Sequence, residues 1–553
     1  MLNRSEAHVL SVLLSAYLLR FYAYFNYSAK LYEIYFYFYC RINMDILPPE
    51  IILNIFSFLP QHELLTHILH VCKSWRELAV APALWLKVNT HPEDEEKNST
   101  YLKNIETFCN HVKHLRTNED CIEKIKFQSP NCQFRNLQEL DLSSEFLVSA
   151  KVLVEFIPKC SLLNSISIRF DNSVIFQDLF HILYEYRVED LQLNYSGDDI
   201  EFLFVLELLS RQTFLRTLSI HCNTIQNNTV AFLFENFTNL KSCDVTSSYL
   251  KNKTFMKMKS MPWLTSLSID YTRVNDDGLK LLSLNIPNLK LFSVVRCENI
   301  TDEGFINIAE HCPLIEQVNI CRSHAISGIT LRALAHGCPR LRRLSIMACA
   351  QIDDDGVITL VRKCTRLRHL ILNFCIQLSD NALFGIAQNC VLLKKLDISH
   401  NGKFTSAGIC KVLRSCIWLE SLNFASCSGI EKLQLSSSVL WTLNNANSNV
   451  LKSISDNEHF EEIISSIPLG NNHSHVRSIN MSHTSVSNSS VLELLLFCPD
   501  LRNLYMFGCI NVTLEIIDAL FKFCLFMEKI SVKRKTVFRH NYIRDNISHK
   551  TSQ

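Results

Sequence analysis

From Leu289 to Leu419 an apolar residue returns every 26 positions, through Ile315, Leu341, Leu367 and Leu393. A second series, Cys312, Cys338, Cys364, Cys390 and Cys416, keeps the same step. Two independent series locked to one period require a structural repeat. No unit of that size buries its apolar face alone, so the units must stack. The pattern continues upstream at Leu137, Leu163, Val188, Leu215, Leu240 and Leu264, and downstream at Val476, Leu501 and Met527. The wider gap between Leu419 and Val476 accommodates a degenerate unit headed by Leu451 and a Ser/Asn-rich insertion near residues 436–450. About fifteen units are expected over residues 131–535, ahead of a polar tail at 536–553.

Each unit reads L-x-x-L-x-I-x-x-C and then a helix ending near a cysteine. The period and the trailing cysteine resemble the cysteine-containing leucine-rich repeats. That resemblance implies an α/β solenoid, curved, with parallel strands on a concave face and helices on a convex one. The strand phase sends the second, fourth, sixth and seventh residues after each leading position outward. Binding hot spots favour aromatic and arginine side chains. Arg296, Arg322, Arg343, Phe374, Tyr505 and Phe507 are therefore the candidates for target binding. The three arginines are expected to form a basic stripe for an acidic or phosphorylated segment. An ordinary solvated strand residue would fall at the same positions.

Residues 45–88 are different in kind. Pro48 and Pro49 suit the first turn of a helix, and apolar residues follow at helical spacing. Three short helices are expected, with more apolar positions than one inward stripe per helix needs. A partner should cover the surplus. The run Leu47-Pro48, Ile55-Phe56, Leu59, Leu64, Val71-Cys72, Trp75-Arg76 and Leu84-Trp85 resembles the F-box. The stretch from Leu59 to Val71 is one residue longer than the usual pattern, which leaves the second helix's path open. The resemblance implies docking on a small adaptor protein linked to a cullin, as in an SCF-type ubiquitin ligase. Leu47, Pro48, Ile52, Ile55, Phe56, Leu59 and Leu64 are expected to contact the adaptor, and Val71, Trp75 and Trp85 to form the F-box core. The F-box is placed at 44–90, with a linker and cap at 91–130.

Composition narrows the function. Lys+Arg (55) nearly balances Asp+Glu (54), so no global field draws nucleic acid, and no nucleic-acid partner is expected. Most of the 22 cysteines follow the repeat, as small buried hydrophobes do in a reducing compartment. This fits a cytoplasmic or nuclear protein. No phosphate-binding loop, nucleophile elbow or metal-ligand spacing is present, so no enzyme, cofactor or metal is expected. Residues 1–43 are an unassigned hydrophobic extension. Their longest charge-free run, Ala7–Leu19, has 13 residues against the roughly 20 that span a bilayer. Three readings stay open: translation from Met44, an extension without fixed structure or held by a partner, and a membrane anchor or signal. The first two make a membrane role the lesser expectation.

Overall fold

The structure, a computed structural model, describes the chain from Pro48 to Phe538. Residues 91–103, 129–131, 143–149, 171–185, 196–205, 207–209, 211–213, 247–249, 436–473 and a few single or paired positions are excepted. The hydrophobic extension, the Ser/Asn-rich insertion and residues 539–553 thus lie outside the described residues. The chain divides into two compact units, Met1–Tyr249 and Leu250–Gln553.

The first unit opens with helices α1 (Pro49–Phe56), α2 (Gln61–Thr66) and α3 (Lys73–Ala79). Strands follow: β1 (Lys87–Asn89), β2 (His114–Arg116), β3 (Glu139–Leu142), β4 (Ser165–Phe170), β5 (Asp190–Tyr195), β6 (Thr217–Cys222) and β7 (Ser242–Thr246). Each pairs in parallel with the next.

The second unit repeats the arrangement. Its strands are β8 (Ser266–Ser268), β9 (Leu291–Ser293), β10 (Gln317–Asn319), β11 (Arg343–Ser345) and β12 (His369–Ile371). They continue with β13 (Lys395–Asp397), β14 (Ser421–Asn423), β15 (Ser478–Asn480), β16 (Asn503–Met506) and β17 (Lys529–Val532). All ten are parallel in sequence order, and β18 (Lys535–Phe538) returns antiparallel on β17. Each unit is thus a stack of strand–turn–helix repeats, the architecture of a leucine-rich-repeat solenoid.

Every repeat strand from β3 onward begins two residues after its leading apolar residue, and the leading residues are buried to 2% exposure or less. One expectation is corrected. The repeats start earlier: β2 lies inside the stretch expected to be linker and cap. Its leading residue is Val112, 25 positions before Leu137, with Leu115 pointing inward. Further on, β14 pairs directly with β15, Ser421 opposite Ser478. Leu451 and the unit it was expected to head lie outside the described residues.

Main-chain bonds and capping side chains lock each repeat to the next. The carboxylate of Asp302, in the first turn of its helix, accepts from the Ser327 N–H at 2.9 Å and hydroxyl at 2.6 Å. Ser327 in turn caps the next helix, Gly328–Gly337. Asp276 holds Thr301 in the same way, and Asp380 holds Thr405. Such caps satisfy helix N–H groups that have no intrahelical partner.

In five repeats of the second unit a buried cysteine stands eight residues after the leading position, at Cys297, Cys349, Cys375, Cys427 and Cys509. Its thiol donates to a carbonyl of the previous repeat: Cys297 to Ile269 (3.3 Å), Cys375 to Ile346 (3.0 Å), Cys427 to Ile398 (3.3 Å) and Cys509 to Met481 (3.1 Å). Thr272, Ser323 and Thr484 take this place in three other repeats, and Asn401 takes it in a fourth. Its Nδ2 donates to Leu372 at 2.9 Å and Ile398 at 2.8 Å, while its Oδ1 has no hydrogen-bond partner among the described residues. Asn401→Cys should therefore stay within about 1 kcal/mol of the parent, because a thiol can donate and no acceptor is stranded. Asn401→Leu leaves buried carbonyls bare and should cost about 1–3 kcal/mol. Urea midpoints of the two variants test this. A leucine variant as stable as the parent would show that these bonds do not hold the row.

Candidate interaction surfaces

The three N-terminal helices close around aromatic side chains. On α1, Ile52 and Phe56 stand one turn apart and face inward. The Phe56 ring meets Trp75 of α3 edge-on, centroids 5.3 Å apart. Cys72 caps α3 by accepting the Trp75 N–H at 3.4 Å. Two contacts tie this module to the strands that follow it. Gln61 donates its Nε2 to the carbonyls of Leu84 and Lys87, both at 2.7 Å. Trp85 donates to the Ala79 carbonyl at 2.7 Å, and its ring stacks on Phe108 at 4.2 Å.

The residues expected to face an adaptor separate here. Pro48 is exposed, but Ile52, Phe56, Leu59 and Leu64 are interior, at most 8% exposed. Leu47 and the side chain of Ile55 lie outside what is described. Helical spacing revealed an apolar stripe without showing which part faces inward, and the Phe56–Trp75 pairing decides it. The apolar side chains of α1 left half-exposed are Ile51 and Leu53, beside exposed Pro48 and Pro49. Trp75 and Trp85 are fully buried, and Val71 is half-buried.

In the second unit the strand ends carry a feature that periodicity did not reveal. The seventh residue after each leading position has left-handed backbone: Tyr271, Arg296, Arg322, Ala348, Phe374, His400, Ser426 and His483, with φ between 57° and 60° apart from Arg296 at 56°. Gly508 completes the series at 70°. From Tyr271 to His483 this turn aims the N–H at the next repeat, as in Arg296 N–H to the Cys321 carbonyl (2.8 Å) and Phe374 N–H to the Ser399 carbonyl (3.0 Å). The side chains are left at the surface. The Arg296 guanidinium lies 5.4 Å over the Tyr271 ring, Phe374 stacks on His400 at 4.0 Å, and His483 meets Phe507 edge-on at 5.3 Å. Tyr505 is a strand residue of β16, half-buried, with Lys529 5.1 Å over its ring.

This geometry breaks the expected arginine stripe. Arg296 and Arg322 share the turn row, but Arg343 begins strand β11 at the other end of its repeat. Arg343 has different neighbours. It stands in register with His369, which is in register with Lys395. Partial burial, then the charges of Arg343 and Lys395, hold His369 below the usual histidine range.

Among the described residues, no group of three or more His, Cys, Asp or Glu is placed to hold a metal ion, and no helix is long and apolar enough to cross a membrane.

A module of three short helices thus leads into stacked strand–turn–helix repeats, and comparison with known families agrees. A family model described as F-box-like matches residues 44–91, and one described as leucine-rich repeat matches residues 260–283. The chain combines an F-box-like domain with leucine-rich repeats. No curated protein matches the sequence. Among solved structures, the chain is similar to one in the complex of Rad7 and Elc1 in yeast. There the identity is 17% and the TM-score 0.47, over 60% of this chain and 83% of that one. It is also similar to an internalin (inlF) from Listeria monocytogenes, at 16% identity and a TM-score of 0.37, over 79% of this chain and 94% of that one.

Proposed function

We propose that this protein is the substrate-recognition subunit of an SCF-type ubiquitin ligase. The F-box-like domain over residues 44–91, joined by Gln61 and Trp85 to the first repeats, is the observation that carries this reading. Exposed Pro48 and Pro49, with half-exposed Ile51 and Leu53 on either side of the buried Ile52–Phe56 stripe of α1, dock on the adaptor, which connects to the cullin. The repeats hold a target protein on their strand face. Catalysis belongs to the other subunits. This chain contributes proximity, raising the effective concentration of a target lysine at the conjugating enzyme.

The test is capture of purified adaptor and cullin by the full chain, beside an Ile51→Asp, Leu53→Asp variant. Both side chains are half-exposed, so the variant should stay folded by circular dichroism. Its adaptor recovery should fall at least about tenfold, since a charge buried at an interface without a partner costs more than 1.4 kcal/mol. Unchanged recovery would move the docking surface off α1. If the parent itself captures nothing, the ligase assignment fails and the chain is a non-catalytic interaction scaffold.

A further inference from the structure

We infer that β11, β12 and β13 form a recognition site for a phosphorylated segment of the target, with Arg343, His369 and Lys395 gripping the phosphate. The inference rests on the reading of the strand face as the target-holding surface. It centres the anion site two repeats beyond Arg322 and three beyond Arg296 of the turn row.

The three residues are opposite one another in parallel register. Adjacent strands lie about 4.8 Å apart, so Arg343 and Lys395 flank His369 at roughly 10 Å from each other. Their long side chains can converge on one anion seated over the imidazole. Arg343 and Lys395 are exposed, His369 is half-buried, and among the described residues neither cation has an ion pair. The row ends in neutral residues, Gln317 on one side and Ser421 on the other.

One residue earlier, Arg342, Arg368 and Lys394 form a second row, linked through Arg368 N–H to the Arg342 carbonyl and Lys394 N–H to the Arg368 carbonyl. Here the outer two cations are neutralised: Arg342 faces Glu316 at 3.4 Å, and Lys394 bonds Glu420 at 2.6 Å. Exposed Arg368, directly beside His369, has no ion pair among the described residues. The charge left over is therefore focused on the middle repeat. The nearest carboxylate along β13, Asp397, is occupied by the Ser399 hydroxyl at 2.7 Å and Asn423 Nδ2 at 2.9 Å. A phosphoryl group carries close to two charges and three acceptor oxygens, which suits three donors arriving from separate strands better than a single carboxylate does.

The same repeats supply a second anchor. Five residues on from His369 and Lys395 are Phe374 and His400, stacked and exposed. Five residues span at most about 17 Å of chain, so an extended segment with a phosphate at one point and an apolar side chain about five residues away reaches both.

The probe is a short fluorescein-labelled Gly/Ala peptide with one phosphoserine about five residues from a phenylalanine, made in both orders. Anisotropy with the full chain should show binding at least about tenfold tighter than that of the unphosphorylated peptide, weakening as salt rises. Arg343→Glu with Lys395→Glu should abolish the difference. Lys363→Glu with Lys411→Glu, the same charge change placed on helices, should preserve it. Equal binding of the two peptides, or an unaffected Arg343/Lys395 variant, overturns the proposal. So does a short RNA that binds more tightly than the phosphopeptide and is lost in the same variant. Adaptor capture by the same preparations separates this result from the ligase reading, since the Arg343/Lys395 variant should still recover the adaptor.

Discussion

Taking the protein from about pH 8 to about pH 10 in reducing buffer is expected to unfold the repeats. Buried thiols are the cause. Burial pushes Cys312, Cys338, Cys349, Cys364, Cys375 and Cys416 each up to about 12. In the unfolded chain the same groups ionise near 8.5 to 9. Below that range both states hold the proton, and these groups add no pH dependence. Above it the unfolded chain releases protons that the folded chain keeps, so stability falls as pH rises. The loss is about 1.4 kcal/mol per group per pH unit, continuing until the folded thiols ionise. Six such groups one unit above their unfolded value remove roughly 8 kcal/mol, comparable with the whole stability of many domains. Urea midpoints across this range are the measurement. Cys338→Ala with Cys364→Ala removes two contributors and should flatten the pH slope. A midpoint that does not move, or a slope that ignores the double variant, would rule out the thiols as the origin.

The second large effect concerns Trp75. It is fully buried in the three-helix module and carries the edge contact with Phe56. Truncating such a side chain costs about 3–5 kcal/mol. A unit of roughly 45 residues holds little more than that in reserve. Trp75→Ala should therefore melt α1 to α3, abolish adaptor capture and leave the second unit's unfolding unchanged. Hydrogen exchange over Pro49–Ala79 distinguishes this from Ile51→Asp, Leu53→Asp. The surface variant loses capture with protection intact, whereas the tryptophan variant loses both. Capture retained by Trp75→Ala would mean that the docking surface does not depend on the module's core.

The repeat was legible because its two strongest constraints, an inward leucine and a buried cysteine, each leave a residue of fixed type at a fixed step. From Leu137 to Met527 the strands begin where that phase put them. The reading fell short at the N-terminal end, where Val112 heads a paired strand, with Cys109 three residues before it and Leu115 inward, inside the stretch expected to be linker and cap. In the F-box-like module the apolar positions could be read, but their orientation could not. Periodicity marks a face, and only packing against Trp75 shows which members of that face are interior. The basic row at Arg343, His369 and Lys395 was legible as separate outward residues. It became one feature once strand register set them side by side.

The left-handed turn row also bears on how such a protein changes over time. At these positions the main chain makes the bonds to the next repeat, and the side chain points away from them. Glycine would hold the turn at least cost, since other residues are about 1 kcal/mol or more worse in this backbone region. Only one of the nine positions uses it. The rest carry tyrosine, arginine, phenylalanine, histidine, serine or alanine, and the scaffold tolerates them all at similar expense. Mutation can therefore rewrite this line of the surface one repeat at a time without touching the core. Divergent copies of such a chain could acquire new binding preferences here while their architecture stays fixed.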